Sequence, residues 1–161
     1  MTRPAELDHE RRPAGPMAAA EFMVTREFLG LSAEWLAQNL VARGRHLSVR
    51  TVQRWEAGDT VIPDEIHQQM QTFQAKTLQV VHDAIAVCEL TPDPSVLTYH
   101  SERDYLTHQP GGRWSARWHR AVVARLAQEV PRLEIGYWTP DHVDPEPITG
   151  VTVTYPLRPW F

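Results

Sequence analysis

The chain has 161 residues, 42% hydrophobic and 22% charged, with a formal net charge of -4. That length accommodates one domain or two small ones, and the composition is that of an ordinary globular protein. No apolar run approaches a membrane span, the single cysteine, Cys88, excludes an internal disulfide and argues against a cysteine-based zinc site, and the acidic balance argues against indiscriminate binding to phosphate.

Residues 1–17, MTRPAELDHERRPAGPM, mix charge with proline and read as a disordered leader, not a signal peptide. Ala18 to Leu29 reads as a first helix that buries Phe22, Met23 and Leu29 and ends at Gly30. Ser32 caps a second helix, SAEWLAQNL, with Leu36 and Leu40 at i, i+4. VARGRHL reads as a loop. Ser48 caps a third helix from Val49 to Glu56, and Gly58 stops it. Pro63 and Asp64 open a long fourth helix with an apolar stripe at Ile66, Met70, Phe73, Val80, Ala84 and Val87. A second stripe, Leu78, Val81 and Ile85, predicts that its later half is covered on two sides.

LTPDPS, at 90–95, reads as a turn and a domain boundary. VLTYH (96–100) is strand-like, and SERDYL starts a short helix through the capping pair Ser101 and Asp104. Ser115 to Val130 predicts an amphipathic helix, with Trp118, Val122, Leu126 and Val130 inward. RLEIGYW and VTVTY alternate as strands, paired with each other or with 96–99. The linker TPDHVDPEPITG between them is rich in proline and acid. Its Asp141, Asp144 and Glu146 resemble a metal loop but read better as a solvated connection.

Charge is unevenly distributed. Val41 to Trp55 holds Arg43, Arg45, Arg50 and Arg54 and no acid, so this window carries +4 and the remainder -8. In the third helix Val52 and Trp55 share the inner face. Arg50, Gln53 and Arg54 fall outside, with Thr51 at the margin. Two helices joined by a turn, the second with a polar outer face, is an arrangement that reads the DNA major groove. Arginine can fork onto guanine and glutamine onto adenine. Ser48 and Thr51 suit phosphate near the helix start, and Arg43, Arg45 and His46 precede it along the same backbone. A solvated helix of an ordinary bundle would share the periodicity, but it has no need of an acid-free stretch.

SAEWLAQNL followed by LSVRTVQRWEAG resembles the lambda-repressor-like (Cro-type) helix-turn-helix over residues 18 to 86, with a longer connection between its helices two and three. SVRTVQRWEAG, VIPDEI, the long helix and the IGYW-like strand are more closely similar to anti-CRISPR-associated autorepressors. That resemblance implies a mainly α fold: a helix-turn-helix bundle at 18–88, with its long fourth helix, then a small α+β dimerisation domain at 95–161. It implies a homodimeric, autoregulatory repressor on an inverted-repeat operator. A Ser-x-Arg that contacts operator DNA in that family maps onto Ser48 and Arg50, with Gln53 one turn on. For some members it implies RNA as a second partner.

The DNA-binding set expected is therefore Ser48, Arg50, Thr51, Gln53, Arg54, Arg43, Arg45 and His46. Glu56 is expected to pair with an arginine instead. Partners are duplex DNA and a second copy, with no membrane, and the setting is cytoplasmic. No cofactor, metal or catalytic residue is expected, since the histidines lack HxxxH and HExxH spacing and no nucleophile or phosphate-loop motif occurs. The alternatives are an antitoxin or phage immunity repressor that binds a protein, and an RNA-binding translational regulator. Trp35, Trp55 and Trp118 take core positions. Trp114, Trp138 and Trp160 fit an aromatic cluster at a subunit interface or, less readily, a peptide groove.

Overall fold

A computed structural model describes residues 16–141 and the short strand at 154–155. The chain is mainly α, with a helical head and a small α+β part. Helix α1 (Ala19–Phe28) ends in a Schellman motif: Leu31 N donates to Arg26 O at 3.1 Å and Gly30 N to Glu27 O at 2.9 Å. Gly30 has φ +66°, and a Cβ there would lie 2.7 Å from Arg117 O and 2.9 Å from Ala121 Cβ. Both backbone conformation and close approach demand glycine. Gly30→Ala is expected to lower stability by more than about 1 kcal/mol, read as a fall in the urea midpoint.

Ser32 caps helix α2 (Ala33–Asn39), its Oγ accepting from Trp35 N at 3.1 Å. The connection VARGRHL is not an open loop. It is a tight hairpin of β1 (Val41–Ala42) and β2 (Arg45–His46), paired Val41 with His46 and Ala42 with Arg45. Arg43 (φ 50°) and Gly44 (φ 74°) turn it, the positive φ at both positions that a two-residue hairpin favours. Helix α3 (Val49–Glu56) follows, then α4 (Asp64–Glu89).

The buried line on α4 is Ile66, Met70, Thr77, Val81, Ala84 and Cys88, which keeps Ile66, Met70 and Ala84 of the expected stripe and adds Thr77 and Cys88 to it. Val80 and Val87 are only half-buried, and Leu78 is exposed. The polar Thr77 holds a core position because its hydrogen bonds are made there. Its Oγ1 donates to Phe73 O at 2.7 Å and accepts from Trp118 Nε1 at 3.0 Å.

Strand β3 (Ser95–Thr98) leads to α5 (Glu102–His108), capped reciprocally by Ser101 and Asp104. Then come α6 (Ala116–Glu129) and β4 (Glu134–Tyr137). The sheet order is β4-β3-β5, with β5 (Thr154–Tyr155) and β4 both parallel to β3. Thus both late strands take the 95–98 strand as partner and neither pairs with the other. Helix α6 covers α4 and the sheet, and Trp118 and Val122 join the core formed by α1–α4.

Trp114 stacks on Trp35 (5.5 Å between centroids) and on Trp118 (4.4 Å), and Trp138 is buried against His108 at 4.9 Å. Trp138 is thus buried within the chain and Trp114 half-buried against its core. Trp160, Asp144 and Glu146 lie outside the described residues.

Candidate nucleic-acid interface

Helix α3 is short and one-sided. Val52 and Trp55 are buried, Trp55 meeting Phe22 of α1 edge-on at 5.8 Å. Arg50, Gln53 and Arg54 are exposed and Thr51 is half-buried. The only acid in α3 is Glu56, and it is turned inward: its Oε1 accepts from Nε of the buried Arg26, whose Nη1 donates to Leu31 O at 3.0 Å. The outer face is left with cations and an amide, with no internal carboxylate to compete for them.

At the helix start, Ser48 Oγ accepts from Thr51 N at 3.1 Å, so Ser48 is the N-cap. The same oxygen is 2.9 Å from Thr51 Oγ1. One hydroxyl hydrogen serves that contact, which leaves the pair one donor for an outside oxygen.

The hairpin brings the rest of the expected set alongside. Arg43, Arg45 and His46 are all exposed. Arg45 is three residues before Ser48, so their Cα atoms are at most ~11 Å apart. Leu47 N donates to Ala37 O at 3.1 Å, which anchors the passage from β2 into α3. Among the described residues, Arg43, Arg45, Arg50 and Arg54 take part in no ion pair. All eight expected residues thus lie on the hairpin and the outer or leading side of α3.

Two residues outside that set hold the hairpin in place. Gln69 on α4 binds both backbone groups of Val41, its Oε1 accepting from Val41 N at 3.0 Å and its Nε2 donating to Val41 O at 2.7 Å. Glu65, one turn earlier, accepts from Arg43 N at 3.0 Å. Their spacing on the polar side of α4 is visible in the sequence, but nothing local points to a partner more than twenty residues upstream. Arg43 carries its left-handed backbone at a cost of about 1–2 kcal/mol relative to a right-handed one, at a position usually given to Asn, Asp or Gly.

Elsewhere, no three His, Cys, Asp or Glu side chains among the described residues gather as a metal site, and no described helix is long and apolar enough to cross a membrane. The chain matches a family model described as Aca2/YdiL-like over residues 17–134. It is 27% identical over 131 residues to the Aca2 repressor of Pectobacterium phage ZF40, an alignment that spans 80% of this chain and 98% of that protein.

Proposed function

The chain belongs to the Aca2/YdiL-like family, and from that premise we propose that it is a sequence-specific DNA-binding repressor that works without chemistry as a homodimer on an inverted-repeat operator. Repression comes from occupying a promoter, its own included. The observation that carries this reading is the outer face of α3: Arg50, Gln53 and Arg54 exposed, with Glu56 withdrawn into a pair with Arg26. Arg50 and Gln53 read base edges, Arg54 reads a base or holds phosphate, and Ser48 and Thr51 hold phosphate. Residues 18–88 form the DNA-binding part and 95–161 the dimerisation part.

The exposed strand β4 supports a second copy. Ile135 is 46% exposed and Tyr137 is 56% exposed, on the strand that forms one edge of the sheet among the described residues. Two α3 helices would then enter successive major grooves about 34 Å apart.

A gel shift on the DNA upstream of its own gene, at two salt concentrations, tests this. Wild type is expected to bind as two chains per duplex and to weaken steeply with salt. Arg50→Ala is expected to lose about 1–3 kcal/mol at one base pair. Equal binding by that variant removes Arg50 from base reading. A structured RNA that outcompetes the duplex makes RNA the primary partner.

A further inference from the structure

We propose that the Val41–His46 hairpin is a wing: with α3 in the major groove, Arg43 and Arg45 enter the adjoining minor groove and select a narrow, A·T-rich operator flank. The inference rests on the DNA-binding reading above and adds a second element of sequence selection to it.

The first support is placement. The tip lies within a few residues of the α3 N-cap, so a helix seated in one groove brings the hairpin to the groove's wall and the one beside it. The second is rigidity. Hydrogen bonds from Val41 N to Gln69 Oε1, from Gln69 Nε2 to Val41 O, and from Arg43 N to Glu65 fix the hairpin to α4, which is itself bound into the core through Ile66 and Met70. A flexible arm suffices to neutralise phosphate. A mounted tip suits a slot only about 6 Å wide.

The third support is the tip's chemistry. Arg43 keeps a left-handed backbone where a smaller residue would sit without strain, and a Cβ built on Gly44 meets nothing within 4 Å. The Gly44 side of the turn therefore faces open space, and the exposed Arg43 beside it carries a guanidinium at the apex. The narrow minor groove of A-tracts concentrates negative potential, which favours inserted arginine. Gln69 and Glu65 act as positioning residues for that tip.

The test uses the full chain to select duplexes from a random pool, followed by binding to the selected site with its flank altered. In wild type, changing flanking A·T pairs to G·C is expected to weaken binding about tenfold. Changing them to inosine·cytosine, which removes the minor-groove amino group of guanine, is expected to restore it. In Arg43→Gln/Arg45→Gln the flank preference should vanish while the α3-read sequence is selected unchanged. Gln69→Ala should blunt the flank preference with the core sequence intact, a split that general destabilisation does not produce.

The wing is overturned if wild type tolerates G·C flanks, or if the double variant keeps the wild-type preference. Selection of a defined core without any flank preference leaves the repressor reading standing and removes the wing alone. Failure of wild type to select any duplex removes both.

Discussion

Glu56→Ala is expected to destabilise the protein by about 3 kcal/mol, because it strands a buried guanidinium. The side chains of Arg26 and Glu56 are 11% and 13% exposed. Arg26 would retain Leu31 O and a looser contact to the exposed Glu27 at 3.8 Å. Neither replaces a carboxylate on Nε, so the loss sits at the low end for a broken buried pair. The effect reaches the proposed interface, since the pair sets α1 against α3 and so sets how α3 presents Arg50. Urea denaturation measures it. A loss below about 1 kcal/mol would mean that solvent reaches Arg26 readily. Arg26→Met/Glu56→Leu should recover much of the stability, as apolar replacements of buried pairs often do.

Acid is expected to produce the second large effect, through His119. This side chain is 2% exposed and sits edge-on to Tyr99 at 4.8 Å. Its Nδ1 is 3.0 Å from Thr98 Oγ1, and its Nε2 has no hydrogen-bond partner among the described residues. Burial, then the charge of Arg120 and the neighbouring His108, pull its pKa down to about 4. The unfolded chain takes up that proton near ~6.5, so acid favours the unfolded state. No penalty exists above that pH; as pH falls toward 4 stability is lost, by about 3 kcal/mol at pH 4. In His119→Gln the loss of stability between pH 7.5 and 4.5 should shrink by about 2–3 kcal/mol. Titration of the wild-type imidazole followed by NMR provides a check that needs no variant. A midpoint of 6 or above would sink the prediction.

Helix α6 also packs into the helical head. Trp118 of α6 donates to Thr77 in the middle of α4, and Trp114 stacks between Trp118 and Trp35 of α2.

Most of the helices are legible in the sequence because their signals are local. Ser32, Ser48, Ser101 and Ser115 each bond a backbone N–H three residues on, and Gly30 and Gly58 close their helices with bonds among adjacent residues. The spacing of Val52 and Trp55 likewise settles which side of α3 faces out, since helical geometry leaves no other choice. The pairing of Glu56 with an arginine was legible as a type of contact, though not which arginine.

The hairpin was not legible. Strands of two residues are too short for alternation to register, and an arginine stands where a turn residue usually marks the fold. On α4 the expected stripe holds at Ile66, Met70 and Ala84, with Phe73 and Val80 partly buried against the core, but hydrophobic identity does not reveal Thr77, which enters the core through its hydrogen bonds with Phe73 O and Trp118 Nε1. By itself, then, the sequence determined helix ends, inner and outer faces and an acid-free basic window, all decided within a turn or two of chain. Only the tertiary structure decided the hold of Gln69 on Val41, the choice of Arg26 for Glu56 and the parallel register on β3. Each of these joins groups distant along the chain, and their pairing follows from packing that no local pattern encodes.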